Sequence, residues 1–191
     1  MKSNTLWPQI LVALGDSITY GYPFSPADSW VEALRQKTRW QVINAGLSGD
    51  TLADMFSRLK QDVLAYHPDI VTLMGGTNDI YQGMSQPQLR QNFLAIVNTL
   101  RQENIVVIVG LPLPVDDCGE GVLKTWRTWL QEYCRTEKLA TLDFYRDFVD
   151  KDGLIREDLL LDGCHPRVVG YETMAKRAVS TFYELGLIAD C

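Results

Sequence analysis

The sequence places a serine directly after a short apolar run and, far along the chain, an aspartate three residues before a histidine. Ser17 lies in Gly-Asp-Ser, and Asp162 and His165 lie in Asp-Gly-Cys-His-Pro. An imidazole that takes the proton of a serine hydroxyl turns the hydroxyl into a nucleophile. A carboxylate that accepts the imidazole Nδ1–H fixes the tautomer and stabilises the imidazolium. These residue types are typical of acyl transfer through Ser17, His165 and Asp162.

Two other turns could supply hydrogen-bond donors to the same chemistry. One carries Gly46 and Gly49, whose lack of a side chain lets backbone N–H groups approach a ligand closely. The other carries Asn78, whose neutral amide can stabilise a developing oxyanion. Each turn alone is equally well explained as an ordinary strand-to-helix connection. The nucleophile, the donors and the Asp–His pair together match the requirements of an acyl-transfer site.

The remaining histidine and the cysteines do not extend this set. His67 precedes a predicted strand, so we expect it at the opposite edge of the sheet with a structural role. The cysteines are widely spaced and form no Cys-x-x-Cys pair, which argues against a zinc site or a redox dithiol. They are Cys118, Cys134, Cys164 and Cys191. We expect free thiols in a reducing cytoplasm, with Cys164 a bystander beside His165.

Short apolar runs alternate with longer amphipathic stretches along the chain. The predicted strands cover residues 10–14, 41–45, 70–74, 105–109 and 139–142. The predicted helices open near 25–28, 50–51, 85–87, 121 and 166, several at Ser, Thr, Asp or Pro residues that suit a first turn. This alternation predicts an α/β fold, a parallel sheet with helices on both faces in strand order 2-1-3-4-5. Ligands of such sheets bind at the carboxyl ends of the strands, between the first and third.

Length and composition set the remaining expectations. The 191 residues fit a single domain spanning 1–191. The net charge of −6 and the absence of a Lys/Arg run disfavour nucleic acid as a partner. Residues 1–14 lack the long apolar core of a signal peptide, and no apolar stretch is long enough for a membrane span. We therefore expect a cytoplasmic protein with no integral membrane association, while the oligomeric state stays open.

Four ordered blocks resemble the SGNH hydrolase superfamily, the GDSL-type lipases and esterases. The blocks are residues 15–18, 44–50, 76–79 and 162–166, followed by Gly170 and Tyr171. The resemblance implies a flavodoxin-like three-layer α/β/α sandwich. It also implies a serine hydrolase that cleaves esters or thioesters and needs neither a metal ion nor a cofactor.

The resemblance also implies a role for each site residue. Ser17 resembles the nucleophile, His165 the general base and Asp162 the acid that orients it. The backbone N–H groups of Ser17 and Gly49 and the side chain of Asn78 resemble the oxyanion hole. Gly49 is preferred to Gly46 because the donor in this family directly precedes the residue that begins the next helix.

Substrate and competing functions are less constrained. The aromatic residues expected near the crevice are Trp7, Tyr20, Tyr22, Phe24 and Tyr81, which could line an acyl pocket or pack under loops. The lack of a long insertion between the blocks favours small soluble esters as the small-molecule substrates. Lysophospholipids, acyl thioesters and acetylated sugars are alternatives. A non-catalytic ligand-binding module and a phosphate- or nucleotide-binding flavodoxin-like protein are alternatives of another class, although no glycine-rich phosphate loop is present.

Overall fold

A central sheet of five parallel strands organises the computed structural model, which describes residues 10–188. The strands run in the order β2-β1-β3-β4-β5. They are β1 (Ile10–Gly15), β2 (Gln41–Gly46), β3 (Ile70–Met74), β4 (Val106–Gly110) and β5 (Ala140–Leu142). The parallel pairing and the strand order confirm the predicted fold class.

Helices cover both faces of the sheet. The sheet's apolar residues alternate between two cores; in β1, Leu11 and Ala13 face one core while Val12 and Leu14 face the other. On the first side lie α2 (Trp30–Lys37) and α7 (Val168–Glu184). On the second side lie α3 (Leu52–Asp62), α5 (Gln86–Gln102) and α6 (Glu120–Glu137). Because helices bury both faces of the sheet, its strands carry apolar residues on both faces.

Two short helices follow strands directly and were not indicated by the hydrophobic periodicity. They are α1 (Ser17–Tyr20) after β1 and α4 (Thr77–Tyr81) after β3. Each has fewer than two turns, which is too short for a helical repeat to be recognised in the sequence. Both begin at the carboxyl edge of the sheet, so their first residues lie where the predicted crevice is.

Two predicted helix starts are wrong in position. Ser25 and Asp28 do form a capping box, but it opens a 3-10 turn over Pro26–Asp28, and α2 begins only at Trp30. The hydroxyl of Ser29 accepts the Glu32 N–H at 3.2 Å and caps α2 instead. Pro166 is likewise outside the last helix. It forms an antiparallel bridge with Leu160, so the chain reaches Val168 before α7 begins.

Within residues 10–188, no helix combines the length and the apolar character that crossing a membrane requires. In that part of the chain Cys118, Cys134 and Cys164 are free thiols, and Cys191 lies outside it. The cytoplasmic location and the single-domain organisation stay predictions.

Gly46 ends β2 at a point where the backbone of α1 comes very close. A Cβ atom at this position would overlap the backbone of Thr19 and Tyr20. The side chain of Asn44 reinforces the contact, because its amide donates to the Thr19 carbonyl at 2.9 Å. The end of β2 and the helix that carries Ser17 are therefore packed backbone against backbone.

We expect Gly46→Ala to destabilise the fold by about 3 kcal/mol, the upper end of the usual cost of overpacking, because the obstructing atoms are backbone. Urea denaturation measures the change. Gly121→Ala is the matched control, since no atom lies within 4 Å of a Cβ built there, and it should leave the midpoint unchanged or slightly raised. Equal midpoints for the two variants would contradict the close packing of β2 on α1.

Candidate active site

Ser17 is held at the start of α1 by the residue before it. The Asp16 carboxylate accepts the Ile18 N–H at 3.0 Å and so caps the helix. The cap fixes the direction in which the Ser17 side chain leaves the turn. The Ser17 Oγ lies 3.1 Å from His165 Nε2, although the two residues are 148 positions apart in the sequence.

Asp162 holds His165 through both of its carboxylate oxygens. Oδ1 accepts the backbone N–H groups of Cys164 and His165 at 3.1 and 2.7 Å, and Oδ2 lies 2.9 Å from His165 Nδ1. Burial alone would raise the pKa of Asp162, but the His165 and Cys164 donors outweigh it and lower the pKa. An ionised carboxylate only accepts, so Nδ1 carries the proton and Nε2 is free to accept the Ser17 hydroxyl.

The loop that carries Asp162 and His165 is closed at its base and fastened at its tip. At the base, the Leu161 N–H donates to the His165 carbonyl at 2.8 Å, next to the bridge between Leu160 and Pro166. At the tip, the Gly163 carbonyl accepts the Asp116 N–H at 2.8 Å. This loop returns the chain from the end of the sheet to the carboxyl edge of β1.

Asn78 and Gly49 are connected through Asp50. The Asn78 Nδ2 donates to the Asp50 carbonyl at 2.9 Å, which uses one of its two N–H groups. Gly49 directly precedes Asp50 and has φ of +87°, a conformation that favours glycine. Gly46, the alternative donor, is instead pressed against α1. This difference favours Gly49 as the glycine available to a ligand.

A cavity of about 240 Å³ lies at the carboxyl edge of the sheet. Its lining residues are Asp16, Ser17, Ile18, Thr77, Asn78, Tyr81, Asp162, Cys164 and His165. Four of the five predicted site residues therefore face one space. Gly49 does not line this cavity; it is linked to the lining residue Asn78 through Asp50.

The predicted aromatic cluster divides between the site and the core. The Tyr22 ring packs edge to face on His165, with ring centroids 4.7 Å apart. Tyr81 lines the cavity, and its hydroxyl donates to Asp117 at 2.6 Å. Phe24 packs on Tyr171 instead, Tyr20 is half-buried, and Trp7 lies outside the described residues.

Two buried carboxylates beside the site were not among the predicted site residues. Asp79 is fully buried and accepts the Leu52 N–H with both oxygens, at 3.2 and 3.0 Å, which caps α3 from across the sheet edge. Burial raises the pKa of Asp79. Burial also raises the pKa of Asp16 to about 6, although the Ile18 N–H and the nearby His165 oppose the shift. Asp16 therefore shapes the turn that presents Ser17, and Asp79 ties the helix that carries Asn78 to the start of α3.

Cys164 and His67 are the two residues that the sequence analysis places outside the catalytic set. Cys164 lines the cavity, and burial raises the pKa of its thiol to about 12, so the sulfur stays protonated at neutral pH. His67 follows a 3-10 turn directly before β3, at the amino edge of the sheet. Within residues 10–188, no group of three or more His, Cys, Asp or Glu side chains is arranged to hold a metal ion.

Comparisons of the sequence with known proteins agree on one family. The model of the GDSL-like lipase/acylhydrolase family matches residues 13–173. Esterase TesA of Pseudomonas aeruginosa is 27% identical over 183 residues, which cover 93% of this chain and 89% of that protein. An acetylxylan esterase of Geobacillus stearothermophilus is 27% identical over 151 residues, or 71% of this chain and 69% of that protein.

A solved structure is similar throughout the fold. A lipolytic protein of the G-D-S-L family from Desulfitobacterium hafniense superposes with a TM-score of 0.86 at 32% identity. The match covers 91% of this chain and 99% of that one.

The raised pKa of Asp16 predicts a pH-dependent loss of stability. Below pH 3.8 the carboxyl is protonated in both states; between pH 3.8 and about 6 the unfolded chain releases a proton that the folded protein still holds. Stability is therefore lost as the pH rises through this window, by about 3 kcal/mol for a shift of this size.

Asp16→Asn should remove that loss while keeping an acceptor for the Ile18 N–H. Urea denaturation from pH 4 to 7 measures the difference between variant and wild type, which should grow in favour of the variant. Asp28→Asn is the control of opposite sign, since hydrogen bonds from Ser25 lower the pKa of that exposed carboxylate. Parallel pH profiles for wild type and Asp16→Asn would contradict the prediction.

Proposed function

The chain belongs to the GDSL-like lipase/acylhydrolase family, whose members hydrolyse esters, and we propose that it does so through Ser17, His165 and Asp162. The observation that carries the proposal is the chain of hydrogen bonds from Ser17 Oγ to His165 Nε2, at 3.1 Å, and from His165 Nδ1 to Asp162, at 2.9 Å. A nucleophile, its base and an orienting carboxylate in this order are what serine acyl transfer requires.

Acylation begins when the Ser17 Oγ attacks the carbonyl carbon of the ester and His165 Nε2 takes the hydroxyl proton. The carbonyl oxygen becomes an oxyanion, which accepts hydrogen bonds from the Ser17 and Gly49 N–H groups and from the Asn78 amide. His165 then gives the proton to the departing alcohol oxygen. The product of this half-reaction is an acyl ester on Ser17.

Deacylation repeats the steps with water. His165 takes a proton from the water as its oxygen attacks the acyl carbon, and the Ser17 oxygen leaves with that proton. Asp162 keeps the imidazole in one tautomer throughout and offsets its positive charge. The carboxylic acid is released and the free hydroxyl of Ser17 is restored.

Small soluble esters are the proposed substrates. A cavity of about 240 Å³ is below the ~300–1,000 Å³ typical of pockets for drug-sized ligands, which favours a short acyl group. O-acetylated carbohydrates are the second candidate, because the similar Geobacillus stearothermophilus protein is an acetylxylan esterase. A series of p-nitrophenyl esters of increasing acyl length, followed by sugar acetates, lysophospholipids and acyl thioesters, separates these substrate classes.

Ser17→Ala should lower the hydrolysis of p-nitrophenyl acetate by at least about a thousandfold, because the attacking oxygen is gone. A fluorophosphonate probe, which loses fluoride as it phosphonylates an activated serine, should label the wild type at Ser17 and leave this variant unlabelled. Ser57→Ala, at an exposed position of α3, is the control and should keep both activity and labelling. An active Ser17→Ala variant would remove Ser17 from the mechanism.

Asn78→Ala should lower kcat by about 10²–10³, equivalent to about 3–4 kcal/mol, if its amide stabilises the oxyanion as such donors commonly do. Steady-state kinetics on the same ester measures the loss. Asn98→Ala, at an exposed position of α5, supplies the same chemical change away from the cavity and should be silent. A loss below twofold would exclude Asn78 from the oxyanion hole.

A further inference from the structure

Arg58 lies outside the proposed triad and oxyanion hole, yet it contacts the strand ends that precede Ser17 and Gly49, and also Asp50, the hydrogen-bond partner of Asn78. We propose that Arg58 is a positioning residue, which holds the ends of β1 and β2 and the residue Asp50 in the arrangement that aims these donors at the substrate. The inference deepens the proposed function and rests on it.

The guanidinium of Arg58 donates from α3 to the ends of two strands. Its Nη2 donates to the Ala45 carbonyl at 2.9 Å and to the Gly15 carbonyl at 3.2 Å. Gly15 is the last residue of β1 and lies two positions before Ser17. The Gly15 carbonyl also accepts the Leu47 N–H at 3.1 Å, which draws the turn after β2 toward the same point. One side chain therefore joins the strand end before the nucleophile to the strand end before Gly49.

The same guanidinium binds Asp50, which connects it to the other two donors. Arg58 Nε donates to the Asp50 carboxylate at 2.6 Å, while the Asp50 backbone carbonyl accepts the Asn78 amide at 2.9 Å. Gly49 is bonded directly to Asp50, so the orientation of its peptide follows that of Asp50. A shift of Asp50 would consequently move both Gly49 and the partner that fixes the Asn78 amide.

Burial makes this arrangement hard to replace. The side chains of Arg58 and Asp50 are 13% and 8% exposed, so water cannot readily substitute for either partner. Asp62, 46% exposed, accepts from Nη1 at 3.2 Å and supports the outer side of the guanidinium. A planar fork with five N–H donors can bind a carboxylate and two carbonyls together, whereas the single ammonium of lysine cannot cover the same positions.

The test compares the hydrolysis of p-nitrophenyl acetate by Arg58→Gln, Arg58→Lys and the wild type. The assays contain no urea, and near-ultraviolet circular dichroism first verifies that each variant is folded. A displacement of catalytic groups by about 1 Å can cost about 10² in rate. We therefore expect kcat of Arg58→Gln to fall 10- to 100-fold, by that reasoning, with KM changed less than about threefold. Arg58→Lys should retain more activity than Arg58→Gln.

Two readouts separate positioning from a merely structural role. A boronic acid inhibitor forms a tetrahedral adduct on an activated serine, and its Ki should rise by the same factor as kcat falls, because both depend on the oxyanion donors. In a double-mutant cycle, Arg58→Gln should cost less in the Asn78→Ala background than in the wild type, since both act through the same donors. The proposal would be overturned if the double variant lost kcat by the product of the two single-variant factors, or if the Ki of the boronic acid did not change.

Controls keep the outcome interpretable. Arg101→Gln removes an exposed arginine paired with Glu137 at 2.8 Å and should leave kcat unchanged. If Arg58→Gln does not fold, Asp50→Asn breaks the same ion pair while leaving the backbone carbonyl for Asn78, and the proposal then requires its kcat to fall with KM unchanged. If the fluorophosphonate does not label the wild type, the proposed function itself is wrong. If the wild type is labelled but a folded Arg58 variant keeps full kcat, only the role of Arg58 is wrong.

Discussion

Three neighbouring parallel strands end in one row, and the site depends on this constraint. Gly15 of β1 is paired with Gly46 of β2 on one side and with Met74 of β3 on the other. Parallel strands all point their carboxyl ends to one edge, so the residues that follow them meet whatever their separation in the sequence. Ser17, Gly49 and Asn78 each come within four residues of such a strand end. The sheet register thereby fixes the relative positions of the three turns that carry the nucleophile and the proposed oxyanion donors.

The polar groups at this edge are largely satisfied by one another. Asp16 caps the helix of Ser17, Asp79 accepts the first N–H of α3, and Arg58 donates to the carbonyls at the ends of β1 and β2. A buried charge without partners is costly, so each of these groups ties a loop to a particular place. Burial raises the pKa of both Asp16 and Asp79 despite these partners. The hydrogen bonds at this edge leave its loops few alternative arrangements.

The sequence predicts those parts of the fold and site that have local signals. Five apolar runs predict the strands and their order, because strand-to-helix alternation restricts the topology. Asp162 and His165 are recognisable because their contact spans only three residues. Arg58 has no such signal, since its carbonyl partners lie 43 and 13 residues away. The predicted start of α7 at Pro166 is wrong for a related reason. The pairing of Pro166 with Leu160 is a tertiary contact that overrides the usual preference of proline for a first helical turn.

The two hydrogen bonds of the proposed triad differ in what holds them. The bond from His165 to Asp162 is made inside one loop, where the Asp162 carboxylate also binds the backbone of Cys164 and His165. The bond from Ser17 to His165 joins elements 148 residues apart. It is supported from outside by Tyr171 of α7, whose hydroxyl donates to the Tyr22 carbonyl at 2.6 Å, and by the Tyr22 ring on His165. Imidazole orientation is therefore a local property of the return loop, whereas the distance to the nucleophile depends on how α7 packs against the chain that leaves α1.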